Sequence, residues 1–415
     1  MLIHPLPPTP PMKQRKAYDG YTSFSYLEPG VDYRPFVLAD ELERVAPYLV
    51  PLTDAEEARV ARLLDEHVMI ALHEHLGVFP DDVDQTPAYV KEGRMATGYR
   101  AIAHSCWDAV FDNLLDGLCT IYSKRGWKWT EVLHDLGMRL CDLAHQDCLI
   151  HGTTVDDILH AHREQKVAWI ASMEGAAMIE NELDRIDILY GFGVRCLGIT
   201  YSESNALGSG LKEKRDGGLT AFGRKAVARM NKVGMLIDCS HAGDQTTLDT
   251  IEVSQKPIML THIGARALWP SNRLAPDEVL KACADKGGVI GIEAAPHTTI
   301  TPTHREHGLA SIMEHFEYIK DLVGIDHVTF GLDTTYGDHV GLHRVYRSNL
   351  SIKESHATGN GQQDFPHVAY VKGLENPTEA SYNIVRWLVK HNYSDEDIAK
   401  AVGGNTLRVL KEVWQ

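Results

Sequence analysis

The sequence contains no run approaching ~18 consecutive apolar residues, so no membrane-spanning helix is expected. Its opening, MLIHPLPPTPPMKQRK, places prolines where a secretory signal needs an unbroken apolar stretch, and its charges follow that stretch. A cytoplasmic protein without a membrane partner is expected. Basic charge is also short: 41 Lys and Arg stand against 57 Asp and Glu, a formal net charge of −16. A nucleic-acid or anionic-membrane binder needs a basic face to neutralise phosphates, so neither partner is expected. Cysteine is scarce, 7 in 415 residues with no C-x-x-C pair, which argues against a disulfide framework and for a reducing compartment. No internal repeat, low-complexity tract or clean linker divides the chain.

What the chain does have is 22 histidines, the commonest metal ligand and the side chain that titrates near neutral pH. Two regions are expected: residues 1–65 as an N-terminal arm and helical extension, and residues 66–415 as a barrel. Residues 1–35 show no sustained period, whereas Ala39 to about Glu66 reads as helical with interruptions at Pro47 and Pro51. Tyr18, Tyr21, Phe24, Tyr26, Tyr33 and Phe36 are too many aromatics for a solvated tail. The arm is therefore expected to pack on its own barrel or on a neighbouring subunit, and a homo-oligomer is expected.

Beyond residue 66, Val- and Ile-rich runs of strand length alternate with amphipathic helical stretches. The runs are Val68–His73, Val167–Glu174, Val194–Ser202, Met235–His241, Pro257–His262, Val289–Ala295 and Val328–Asp333. They are too apolar for half-solvated strands, which points to parallel strands buried on both faces. An eighth strand is expected within Leu76–Gln165. Repeated strand–helix units suggest a (β/α)8 TIM-like barrel with an N-terminal extension, and an open doubly wound sheet as the alternative.

In such a barrel the chemistry sits at the C-terminal ends of the strands. Those ends deliver His73 and His75, Glu174, Tyr201, His241, His262 and Asp333. A single such residue is usually a loop anchor. Several ionisable groups desolvated on one rim are costly unless a cation or mutual pairing compensates. Imidazole and carboxylate ligands suit one or two Zn²⁺ ions, with Mn²⁺, Co²⁺ or Fe²⁺ as alternatives. In a strand, His73 and His75 share a face and can chelate one ion. His160 and His162, also spaced H-x-H, lie in a helical stretch where they diverge, and are expected to be solvated or packed. Glu74 points away from its neighbours and reads as structural.

The strings SMEG, GLTAFGRKAVARMNKVGMLIDCSH, THIGARAL, GGVIGI and DLVGIDHVTFGLD resemble the membrane (renal) dipeptidase family of the amidohydrolase superfamily. So does the tail GLENPTEASYNIVRWLVKHNYSDEDIAKAVGGNTLRVL. The likeness runs in register from about residue 66 to 412. It implies a (β/α)8 barrel with two bridged zinc ions that hydrolyses dipeptides with a metal-bound hydroxide. By position it implies that His73 binds the first metal, Glu174 bridges both, and His241 and His262 hold the second. Asp333 falls where the family handles the proton of the attacking water. Arg273 falls where it pairs with the substrate carboxylate, a role that suits a planar fork of donors.

Two positions depart from the pattern. Where the family has H-x-D on the first strand, this chain has His73-Glu74-His75, which removes a negative charge from the first metal. Where the family presents a histidine to the oxyanion, this chain has Tyr201, a donor of different reach and acidity. The expected function is a metal-dependent hydrolase cleaving an amide or peptide bond in a small carboxylate-bearing substrate. The alternatives are a relative acting on a lactone, a non-peptide amide or a carbon–carbon bond next to a carbonyl, and a non-catalytic metal-binding scaffold. The ESNALGSG loop and the segment after Asp333, with His339 and His343, are candidates for shaping the pocket.

Overall fold

The Val- and Ile-rich runs fold as strands with almost no solvent-facing residue in a computed structural model that describes residues 12–114, 127–346 and 366–414. In chain order the strands are β1 (Ile70–Glu74), β2 (Gly77–Val78), β3 (Ala96–Thr97), β4 (Ala109–Asn113), β5 (Leu149–His151), β6 (Val167–Met173), β7 (Val194–Gly198), β8 (Leu236–Asp238), β9 (Met259–Ile263), β10 (Val289–Ile292) and β11 (Val328–Phe330). The parallel sheet runs β1-β4-β6-β7-β8-β9-β10-β11, while β5 flanks β6 and β2 pairs antiparallel with β3. The ring closes between its ends: Asp333 N donates to His73 O at 3.0 Å, and His75 N donates to Thr334 O at 2.9 Å. This is the eight-stranded (β/α)8 barrel. The strand expected within Leu76–Gln165 is β4, with sequence AVFDN.

One side chain from each of seven strands, namely Leu72, Phe111, Ile170, Cys196, Leu236, Met259 and Val289, builds the barrel interior. The same cluster takes in Val409, Leu410, Val413 and Trp414 from the C-terminal helix Asn405–Val413 and the residue after it. Helices such as Ala221–Val233 pack outside, and that helix ends on Gly234, whose φ of 82° makes the left-handed cap that side chains resist.

The N-terminal segment lies on its own barrel. Lys16 Nζ pairs with Asp108 Oδ1 at 2.6 Å, both side chains being nearly inaccessible. The Asp142 carboxylate accepts from Tyr21 Oη, Ser23 Oγ, Phe24 N and Tyr99 Oη at 2.6–3.0 Å. The helix expected from Ala39 starts only at Asp54, behind a Thr53–Glu56 capping box. Pro47 and Pro51 remove amide donors from the preceding stretch, which instead hydrogen-bonds to the helix Pro377–Lys390, as in Val50 N to Asn383 Oδ1 at 2.8 Å. His160 is exposed, and His162 packs with its Nδ1 3.0 Å from Asp108 Oδ2, on the helix Val155–Arg163. Residues 347–361 of the expected pocket segment lie outside the described residues.

Candidate metal centre

β1 and β6 bring His73 and Glu174 to the same rim, with Nε2 and Oε1 3.2 Å apart. The ends of β8 and β9 add His241 and His262, whose Nε2 atoms lie 3.3 and 3.1 Å from that same oxygen. Asp333, beyond β11, sets Oδ1 3.1 Å from His75 Nε2 and 3.7 Å from His73 Nε2. Ligand atoms of His73, Glu174, His262 and Asp333 all lie within 4.8 Å of one another. Close packing makes this convergence possible: at Gly198 a Cβ would lie 2.0 Å from the Glu174 carbonyl oxygen. Asp333 adopts φ 55°, a left-handed conformation that aspartate tolerates better than most residues. Glu74, on the other face of β1, accepts from Thr334 N at 2.8 Å and from Thr334 Oγ1 at 2.7 Å, fixing the residue after Asp333.

The outward nitrogens decide which tautomers the rings adopt. His75 Nδ1 faces the main-chain oxygen of Asn113 at 3.0 Å, an acceptor only, so the proton sits on Nδ1. His262 Nδ1 faces Thr261 Oγ1 at 2.9 Å, and that hydroxyl gives its own hydrogen to Asp238 Oδ2 at 2.7 Å. It therefore accepts from His262, whose Nε2 turns a lone pair inward. His241 Nδ1 lies 3.2 Å from Ser202 Oγ, and its Nε2 stands 2.9 Å from that of His262. A proton or a cation must be shared there.

Burial by itself would raise the Glu174 carboxyl, but His73, His241 and His262 hold it well below the usual carboxylate range. Asp333 behaves likewise, burial opposing and His75, His73 and His262 prevailing. Burial lowers His241 and pulls His262 well below its ordinary value. Two buried carboxylates held ionised among converging imidazole nitrogens form a donor set that suits a cation. His73 Nε2 is buried with no hydrogen-bond partner, as expected for an atom whose partner is a metal. Donor atoms bound tetrahedrally at ~2.0–2.1 Å are separated by about 3.3 Å along each edge. The 3.1–3.3 Å separations around Glu174 Oε1 match that edge. The residues fit a small divalent ion.

Tyr201 is partly buried and stacks on His241, ring centroids 4.3 Å apart at 23°. Burial first, then the charges of Glu174 and Asp333, push its phenol well above the usual value, so it remains a donor. Arg273 is buried, donating from Nη1 to Ser240 O and from Nη2 to His262 O, each at 3.2 Å. It also pairs with Glu293, a fully buried carboxylate just past β10 that the sequence reasoning passed over. The signal was present, since Glu293 interrupts the otherwise apolar run Val289–Ala295. Asn113 and Asp238 were also passed over, being common residue types without a motif. His339 is nearly buried and meets His343 edge to face, ring centroids 4.8 Å apart.

Residues 58–351 match the family model of the membrane dipeptidases, peptidase family M19. The dipeptidase aclJ of Aspergillus oryzae is 27% identical over 293 residues, covering 68% of this chain and 62% of that protein. The dipeptidase tcpJ of Claviceps purpurea is 26% identical over 281 residues, covering 67% of this chain and 58% of that protein. The chain thus spans less than two thirds of the length of these two relatives. Among solved structures, an amidohydrolase from Pseudomonas aeruginosa superimposes with a TM-score of 0.68 at 22% identity, covering 86% of this chain and 99% of that one. That likeness supports the same fold.

Proposed function

The chain belongs to the membrane dipeptidase family, and from that premise we propose that it is a metal-dependent hydrolase of small amides. The observation that carries the proposal is the ring of inward Nε2 atoms 3.1–3.3 Å from one oxygen of Glu174. In this reading His73, His75 and Glu174 would hold a first ion, and Glu174, His241 and His262 would hold a second. Zn²⁺ is the preferred ion, and Mn²⁺, Co²⁺ or Fe²⁺ also suit the donors. When bound, the ions polarise a carbonyl and acidify a water.

The chain's own groups do the rest. Asp333 is ionised and, through Oδ1, accepts a proton from the attacking water and returns it to the leaving amine. Tyr201 donates its O–H to the oxygen on which charge develops. A guanidinium carries five N–H donors. Three contacts, to Ser240 O, His262 O and Glu293, leave Arg273 with donors for a substrate carboxylate. The substrate is a dipeptide or a small acylated amino acid. Tyr201 and His75, the two departures from the family pattern, favour a second reading in which the scissile bond is not a peptide. Retention of Asp333 beside the ligand set speaks against a non-catalytic scaffold.

We also place the protein in the cytoplasm as a homo-oligomer, with no nucleic-acid or membrane partner. No helix among the described residues is long and apolar enough to cross a membrane. Elemental analysis after metal supplementation, followed by a panel of dipeptides, N-acyl amino acids and lactones, tests the function. One to two ions per chain and amide turnover support it, less than ~0.1 ion per chain overturns it, and metal without amide turnover selects the second reading.

A further inference from the structure

Asn113, the last residue of β4, touches both His73 of β1 and His75 just past its end. Its main-chain oxygen takes the Nδ1 proton of His75 at 3.0 Å, and its side-chain amide lies 2.8 Å from His73 Nδ1. The residue is 1% exposed, so water does not compete for either contact. No other described residue is hydrogen-bonded to the outward nitrogens of both rings.

For His73 to bind an ion through Nε2, a lone pair must point inward and the proton must sit on Nδ1. The group facing Nδ1 must then be an acceptor. Asn113 offers either Oδ1 or Nδ2, exchanged by a half-turn of the amide. With Nδ2 toward the ring, Oδ1 is buried and has no hydrogen-bond partner. That orientation also favours the tautomer with a hydrogen on Nε2, which would point at Glu174 and Asp333 and block an ion.

We propose that Asn113 is a positioning residue for the first metal, its Oδ1 holding His73 and its main-chain oxygen holding His75 in the tautomer that presents Nε2. The inference rests on the metal-dependent reading above. It explains how a chain with His75 in place of the family's aspartate keeps that ring oriented: an aspartate ligand needs no tautomer fixed, whereas an imidazole does. The β4 carbonyl supplies that function whatever side chain the residue carries, so a substitution at Asn113 isolates the His73 contact.

The test is zinc affinity by competition with a chromophoric chelator, measured on the full chain for wild type, Asn113→Asp, Asn113→Leu and Asn113→Ala. Outer-shell partners of ligating histidines typically contribute ~10–100-fold in metal affinity. Asn113→Leu is expected to lose affinity on that scale, and Asn113→Asp, which only accepts, to stay at or above wild type. If the leucine variant does not fold, alanine takes its place. Wild-type affinity in both apolar variants overturns the inference. So does equal loss in the aspartate variant, since a donor would then be what His73 requires. A wild type that takes up no zinc instead overturns the proposed function.

Discussion

Tyr201 lies against the face of His241, ring centroids 4.3 Å apart at 23°, so the proposed oxyanion donor packs directly on a proposed metal ligand. Tyr201→Phe keeps the stacking and removes the O–H. Metal content should stay at the wild-type level while turnover falls ~10²–10³-fold, the usual loss for one oxyanion donor. Unchanged turnover would place the donor elsewhere. Tyr201→His restores the family's residue type, and a rise in its dipeptide turnover relative to wild type would identify Tyr201 as a determinant of substrate choice.

Asp333→Asn keeps the shape of the side chain, and asparagine also tolerates the φ of 55° found there. It cannot accept a proton at neutral pH. We expect near-normal metal content with turnover reduced ~10²-fold or more. Glu174→Gln, in contrast, removes the charge at the oxygen shared by three imidazoles and should lose metal together with activity. Elemental analysis of both variants decides between the roles, and a reversed pattern would exchange them.

Glu293 tempers Arg273. Burial pushes the Glu293 carboxyl up to about 8 despite Arg273. Glu293→Gln therefore frees the guanidinium's charge chiefly above that pH, where KM should fall about tenfold for substrates with a free carboxylate, equivalent to ~1.4 kcal/mol. Amidated analogues should change little. A KM that moves equally for both classes would remove Arg273 from carboxylate recognition, and a melting curve of the variant checks that the site has not collapsed.

The arm's buried anchor should make stability depend on pH. The hydrogen bond that His162 donates to the Asp108 carboxylate raises His162 above its ordinary value, with burial opposing. A group raised in the folded state contributes fully below its unfolded pKa of ~6.5 and loses that contribution as pH rises through the folded value. His162→Gln should therefore lower the melting temperature more near pH ~6 than near pH ~8.5. Equal depression at both pH values would mean that the pair carries no charge-dependent stability. Asp108 works in the other direction: burial would raise it, but Lys16 and His162 hold it below its ordinary value. Its contribution is present above the unfolded pKa and disappears as pH falls through the folded one.

The rim was legible in the sequence because a doubly buried strand is apolar along its length, so a His, Glu or Asp at its end stands out. His73, Glu174, His241, His262 and Asp333 were found that way, and their ligand atoms do converge. The groups that orient them were not. Asn113 is a neutral amide in a weakly patterned stretch, and Asp238 acts through Ser240 and Thr261. Their roles depend on which strands become neighbours, which one-dimensional spacing does not carry. His162 shows the converse: helical divergence correctly separated it from His160, but its partner Asp108 lies 54 residues away.

The pairing of the chain's two ends has a consequence for its synthesis. Glu57 holds Arg386 through a two-pronged ion pair spanning 329 residues, and β1 completes its ring only against the residues after β11. At ~5–20 residues per second a ribosome needs roughly 16–66 s to make the intervening chain. Throughout that interval the first strand and the helix before it emerge without their final neighbours. A nascent chain stalled before residue 386 should therefore be captured by holdase chaperones or cleaved by added protease, and one released beyond residue 414 should resist both.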